Sequence, residues 1–264
     1  MKPLAELRDA QHIRGLLFDI DDTLTTEGRL TAEAYGAMER LKRAGKLLVP
    51  ITGRPAGWCD HIARMWPVDA VVGENGAFYF RLLEGKLHKT YRDADGMRAR
   101  NRERLAAIGA RIVERIPGCA LSSDQAYRET DLAIDYCEDV PPLPLETAER
   151  IAALMRAEGL TAKISSIHVN GWFGGYDKLA MTRQLFADVF KFAPDILQRE
   201  FAFAGDSPND APMFEYFENS IGVANVARFA GRLEAEPKYI ALRSAGAGFA
   251  EIAAILLAQP PQGF

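Results

Sequence analysis

Apolar and polar positions along the first third of the chain change period in a regular order. The mostly apolar run Ile13 to Phe18 has the texture of a buried strand. An amphipathic helix follows at about 31–44, ended by Gly45, and the strand Lys46 to Ile51 then closes on Thr52-Gly53-Arg54-Pro55. That is a βαβ unit. A helix at about 56–65 and the strand Ala70 to Val72, leading into Gly73-Glu74-Asn75-Gly76-Ala77, continue the pattern. Strands alternating with helices predict a parallel sheet whose ligand sites lie at the strand C-terminal ends.

From about residue 83 the texture changes. A hairpin-like Glu84-Gly85 turn and the strand Leu87 to Arg92 precede a long helix at about 94–115. Met97, Leu105, Ile108, Ile112 and Ile116 recur along it at near-helical spacing, leaving a basic face of Arg98, Arg102 and Arg104 that reads as solvated. Strand-like stretches at Leu132 to Tyr136 and Ala162 to Val169 flank a helix at about 145–158. After Gly171, Gly174 and Gly175 the alternation resumes: helix 178–190, strand Phe201 to Ala204, helix 209–217, strand Ser220 to Val223 and helix 247–257. The fold expected is α/β, with a Rossmann-like parallel-sheet core over 1–82 and 173–264. An α+β unit over 83–172 interrupts it once, where it would cover the strand tips.

A length of 264 residues suits one large α/β domain or a domain carrying an insert, and 48% apolar residues suffice for a sizeable core. The net charge of −4 gives no general reason to expect nucleic acid or an anionic membrane as partner, so a small anionic substrate needs a local site. Cys59, Cys119 and Cys137 are widely spaced and form neither a disulfide framework nor a zinc pattern. Lys2, Glu6 and Arg8 leave no apolar leader at the start, and Ile252 to Ala258 is too short to span a bilayer. A cytoplasmic protein, monomer or homodimer, is expected.

Candidate chemistry gathers at the strand ends. The run Phe18-Asp19-Ile20-Asp21-Asp22-Thr23-Leu24 ends a buried strand in three acids and a hydroxyl. Alternation puts Asp19 and Asp21 on one side, a pairing that a cation or a shared proton would relieve. Helix capping by Asp22 or Thr23 is the plainer alternative. Gly205-Asp206-Ser207-Pro208-Asn209-Asp210 repeats the arrangement after a second buried strand. Convergent carboxylates without imidazole or thiolate suit Mg²⁺, although Asp and Ser before Pro also make a good helix start. Thr52-Gly53 offers a hydroxyl and free N–H groups for phosphate oxygens. Lys178 opens a helix, where the dipole disfavours a cation, and could offset the acids.

In order and context, Asp19-Ile20-Asp21-Asp22-Thr23, Thr52, Lys178 and Gly205 to Asp210 resemble the four motifs of the haloacid dehalogenase superfamily of phosphotransferases. An insert between the second and third motifs resembles that superfamily's type-2 cap, subclass IIB, which includes sucrose- and trehalose-type sugar phosphatases and Cof-like hydrolases. The resemblance implies a Mg²⁺-dependent phosphatase acting on a small phosphorylated sugar. It makes Asp19 the nucleophile, Asp21 the acid/base, Thr52 a phosphoryl ligand and Lys178 the group that orients Asp19. Asp19, Asp206, Asp210 and the backbone carbonyl of Asp21 would hold the metal. Two departures, Asp22 and Leu179 where relatives often have Gly, remove no reacting atom.

Gly53, Arg54, Asn75 and Asn209 are the substrate contacts expected from the core, and Lys163 and His168 those expected from the cap. Ser165, Asn170 and Arg128 to Asp131 are further cap candidates, whereas Trp172 reads as a core aromatic. A sugar phosphomutase with the same nucleophile is the enzymatic alternative. A non-catalytic binding module is the alternative of another kind, and so many converging charges weigh against it.

Overall fold

The structure is a computed structural model and describes residues 1–8 and 10–258. The chain opens with β1 (Lys2–Pro3) and then alternates β2 (Gly15–Phe18), α1 (Ala32–Arg43), β3 (Leu47–Pro50), α2 (Ala56–Met65) and β4 (Val71–Gly73). A hairpin of β5 (Phe78–Leu83) and β6 (Lys86–Tyr91) leads into α3 (Asp95–Arg115), β7 (Ala120–Leu121) and β8 (Asp131–Asp135). Then come α4 (Leu145–Ala157), β9 (Thr161–Ile164) and β10 (His168–Trp172). Alternation returns with α5 (Lys178–Leu185), α6 (Pro194–Glu200), β11 (Phe201–Gly205), α7 (Ala211–Tyr216), β12 (Asn219–Gly222), β13 (Tyr239–Ile240) and α8 (Ala245–Leu257).

The core sheet runs β1-β13-β12-β11-β2-β3, and every pairing in it is parallel. Its middle strands are buried on both faces. Along β2, Leu16 and Phe18 pack with Met38 and Leu41 of α1 and Phe249 and Ile252 of α8. Leu17 points the other way and packs with Met181 and Leu185 of α5 and Phe214 of α7, as the two-residue period of a strand requires. β4 extends the sheet through one parallel bridge, Ile51 to Val72.

The insert builds a second, antiparallel sheet, β7-β8-β10-β9. Leu105, Ile108 and Ile112 of α3 and Ile151 and Met155 of α4 pack with Leu132, Ile134 and Val169 of this sheet. The β5–β6 hairpin pairs antiparallel with β4, and Phe78 and Phe80 pack with Cys59, Ile62 and Trp172.

Four details depart from the sequence expectations. The stretch Ala162 to Val169 is two strands, because Ser165 N donates to His168 O at 2.9 Å and His168 N to Ser165 Oγ at 3.0 Å, closing a turn between them. The helix expected over 178–190 is α-helical to Leu185 and continues as a single π-turn over Phe186–Phe190, while α6 was unforeseen. Met97 is exposed and lies outside the core. Arg98 is shielded, since its guanidinium lies 3.5 Å from the Tyr91 ring centroid and pairs with Asp95 at 2.7 Å. Among the described residues no helix is long and apolar enough to cross a membrane.

Candidate active site

Strands β2 and β11 are neighbours, with Phe18 opposite Ala204, so the residues that follow them leave the sheet side by side. Asp19 N donates to Ala204 O at 2.9 Å, which anchors the first acid. Asp22 then takes a left-handed φ of 56°, turning the chain so that Thr23, Leu24 and Thr25 all donate to Ile20 O. Carboxylate oxygens of Asp19, Asp206 and Asp210 lie within 4.8 Å of one another, and all three side chains are buried.

Asp206 and Asp210 are each held by several donors, and Asp19 by one. Lys178 Nζ stands 3.0 Å from Asp19 Oδ1 and 2.8 Å from Asp210 Oδ1. Asp210 Oδ2 accepts the backbone N–H groups of Asp206 at 3.0 Å and Ser207 at 3.2 Å. Asp206 accepts from Thr23 Oγ1 at 3.1 Å and from Asn225 Nδ2 at 3.1 Å. Gly205 keeps this turn open, because a Cβ there would lie 2.5 Å from Asp210 Oδ2. Lys178 is tolerated at the start of α5 because two carboxylates face it, while Asp177 caps the helix by accepting from Ala180 N at 2.8 Å.

Three buried acids stand beside one buried cation, and for Asp19 and Asp206 the crowding shows in their protonation. Burial pushes the Asp19 carboxyl up to about 7; Lys178 pulls against that, and Asp210 and Asp21 add to it. Burial also holds Asp206 well above the usual carboxylate range, with Asp19 and Asp210 contributing. The Lys178 ammonium is stabilised, because its two carboxylates outweigh the opposing effect of burial. A charge-deficient cluster of hard oxygens, with no nitrogen or sulfur ligand among them, fits a divalent cation of the Mg²⁺ type.

The carboxylate of Asp21 lies outside this trio, in a separate grip. Arg54 Nε lies 3.0 Å from both of its oxygens and Nη2 lies 2.7 Å from Oδ1, a forked contact that fixes the plane of the carboxylate. The other edge of Arg54 reaches into the insert, to Asp124 Oδ2 at 3.3 Å and Glu138 Oε2 at 3.3 Å. Its guanidinium also covers Trp58, 4.3 Å from the ring centroid.

Thr52 is buried beside Asp19's strand; its N donates to Val72 O at 2.9 Å and its Oγ1 accepts from Arg54 N at 3.0 Å. A Cβ at Gly53 would be a tight fit, 3.1 Å from Asn75 Nδ2 and 3.5 Å from Asn170 Oδ1. Asn209 Nδ2 donates to Asn75 Oδ1 at 3.2 Å, and Asn75 Nδ2 is buried with no partner. A narrow gap brings Asp19, Asp21, Gly53, Arg54 and Asn209 against Ser165, His168 and Asn170 of the insert. Asn170 is fixed there by donating to Asp131 Oδ2 at 2.9 Å.

Lys163 is the expected contact that stays away. It sits on the edge strand β9 and pairs with Glu234 at 3.0 Å. Arg128 is buried structural glue, bonded to Asp131 at 2.9 Å and to Gly53 O at 2.8 Å. Trp172 is a core aromatic, as expected, stacked on Tyr176. Glu74 was overlooked: Oε1 accepts the N–H groups of Ala56 and Glu129, both at 2.9 Å, and Oε2 accepts those of Thr130 at 2.6 Å and Asp131 at 3.2 Å. The Thr130 hydroxyl adds a fifth donor. Asp124, Glu138 and Asn225 were overlooked as well, for each lies outside a strand-end motif and gains its role only from distant chain.

Fold and site together define a doubly wound α/β protein with an acid cluster at the tips of its central strands and an antiparallel sheet packed against that cluster. Residues 16–94, which hold the first two of the four motifs, match the family of haloacid dehalogenase-like hydrolases, in agreement with the resemblance. The Thermoplasma acidophilum 0175 protein shares the fold with a TM-score of 0.69 at 17% identity, covering 92% of this chain and 98% of its own. The sucrose-phosphatase of Synechocystis, solved with sucrose and phosphate, superposes with a TM-score of 0.62 at 17% identity over 93% of this chain and 100% of its own. The C-terminal domain of the Candida albicans trehalose-6-phosphate phosphatase does so with a TM-score of 0.66 at 13% identity, over 93% and 92%. At these identities the likeness is one of fold. The family match is to hydrolases, in keeping with the hydrolase expected from the motifs. No curated protein sequence matches the chain significantly.

Proposed function

We propose that the protein is a Mg²⁺-dependent phosphatase that hydrolyses a small phosphorylated sugar or sugar conjugate through a phosphorylated Asp19. The observation that carries this reading is the convergence of Asp19, Asp206, Asp210 and Lys178 within one buried cluster, with Asp21 held separately beside it.

Asp19 attacks phosphorus through a carboxylate oxygen while the bond to the sugar oxygen breaks, and Asp21 gives that oxygen its proton. Water then attacks the aspartyl-phosphate at phosphorus, Asp21 takes the water proton, and Asp19 leaves as a carboxylate with inorganic phosphate. Lys178 fixes the attacking carboxylate, since its ammonium lies between Asp19 and Asp210. Arg54 holds Asp21 for both proton transfers. The Thr52 hydroxyl and the backbone at Gly53 receive phosphoryl oxygens, with the free Asn75 amide close by. Mg²⁺ held by Asp19, Asp206, Asp210 and the Asp21 carbonyl would offset the repulsion between the anionic nucleophile and the anionic phosphate. Residues 83–172 act as the cap that brings Ser165, His168 and Asn170 over the reacting group.

The test is phosphate release from a panel of sugar phosphates with Mg²⁺, repeated with the metal chelated and with Asp19→Asn. Turnover that is lost in both controls is expected; undiminished activity of the folded Asn variant would rule the mechanism out.

A further inference from the structure

The gap directly over Asp19 holds only about 10 Å³. It shares Asp21, Arg54 and Ile167 with an adjoining chamber of about 430 Å³, which is on the scale of small-molecule sites. A phosphate at Asp19 therefore has this chamber beside it, on the side of the acid/base, and the leaving group belongs there. Its lining carries the carboxylates of Asp21, Asp22, Glu27 and Glu138 and the guanidiniums of Arg54 and Arg228.

Both guanidiniums are already engaged. Arg54 is shared among Asp21, Glu138 and Asp124, and Arg228 pairs with Asp22 at 3.0 Å. Among the described residues lining the chamber no cation is left over for a second anionic group. Glu138, reaching in from the loop after β8, has a side chain 23% exposed, so a ligand can meet it. Burial would raise its carboxyl, but the close approach of His168 and the bonds from Arg54 bring it down to about 2, so it stays an anion and an acceptor. His168 itself is 2% exposed, and its Nε2, although 2.9 Å from Glu138 Oε2, lies off the line of a hydrogen bond and has no aligned partner. The site thus presents a fixed acceptor in negatively charged surroundings.

Resting on the phosphatase reading above, we propose that Glu138 is a specificity-determining residue: with Arg54 it selects a neutral, hydroxyl-rich leaving group and excludes one that carries a second carboxylate or phosphate. Sugar hydroxyls donate to Glu138, which lines the chamber and is open to it. A second anion meets like charge with no unpaired guanidinium to receive it. A bisphosphorylated sugar, which a phosphomutase has to accommodate, is disfavoured for the same reason.

A pair of substrates matched in carbon count tests this, glucitol 6-phosphate against 6-phosphogluconate, with p-nitrophenyl phosphate as a probe that carries neither feature. With Mg²⁺ present, the wild-type protein is expected to prefer glucitol 6-phosphate by roughly tenfold or more in kcat/KM. The isosteric Glu138→Gln is expected to bring the ratio toward parity. Equal or better turnover of 6-phosphogluconate by the wild type, or an unchanged ratio in Glu138→Gln, overturns the proposal even if p-nitrophenyl phosphate is hydrolysed. Failure on all three phosphates strikes the phosphatase reading itself. The wild-type ratio is decisive should the variant not fold.

Discussion

Arg54 grips Asp21 through two nitrogens while its opposite edge binds Asp124 and Glu138 of the cap, so one guanidinium joins the proposed acid/base to the unit that covers it. Lysine cannot reproduce that fork. Arg54→Lys is expected to lower kcat by about 10–100-fold, the scale of a misplaced catalytic group. The loss falls on alkyl phosphates, whose leaving oxygen needs a proton, and much less on p-nitrophenyl phosphate. A uniform loss across a leaving-group series would show that Arg54 serves binding instead.

Lys178 is the cation shared by two buried carboxylates, and its removal strands both. Lys178→Met is expected to abolish turnover and, without metal, to destabilise the fold by about 3–5 kcal/mol. Urea unfolding in the presence of a chelator measures it. A shift below about 1 kcal/mol would mean that water already shares the cluster.

The raised pKa of Asp19 fixes the sign of a pH effect. In the range between the ordinary value of 3.8 and about 7, the folded protein keeps a proton that the unfolded chain has released. Without metal, stability therefore falls as pH rises through that window, and Asp19→Asn flattens part of the slope. Mg²⁺ at a hundredfold excess over its Kd restores about 2.7 kcal/mol above the window. Denaturant midpoints from pH 4 to 8, with chelator and then with Mg²⁺, check both; a flat chelated profile would contradict the charge-deficient cluster.

Gly205→Ala places a methyl group 2.5 Å from Asp210 Oδ2, where backbone N–H groups already hold that oxygen. The carboxylate has to move, at about 1–3 kcal/mol of stability. The Mg²⁺ concentration for half-maximal activity is expected to rise by roughly tenfold, since a displaced acid is a poorer ligand. Metal titrations of activity read this directly.

The core was legible because its strands are buried on both faces, so that apolar runs such as Ile13 to Phe18 and Phe201 to Ala204 stand out between helical stretches. The acids at their tips were legible because they end those apolar runs abruptly, Asp19 after Phe18 and Asp206 after Gly205. The cap was harder. Ala162 to Val169 alternates as a single strand would, and only the Ser165–His168 hydrogen bonds break it in two. Lys163 has the right chemistry and the wrong strand, an edge position that local pattern does not encode. Glu138 and Glu74 carry no local signal of their roles, because Arg54 lies 84 residues from Glu138 and the donors to Glu74 lie 18 and 55–57 residues away.

Glu74 has a consequence for motion. Four backbone amides and a hydroxyl from α2 and from the approach to β8 end on its one carboxylate, whereas the contacts of Glu138 lie partly open to water. Rupture along the Glu74 margin would orphan many donors at once; along the Glu138 margin, solvent can substitute for each ion pair as it parts. Of the two margins, the one at Glu138 is therefore expected to be the less costly to open.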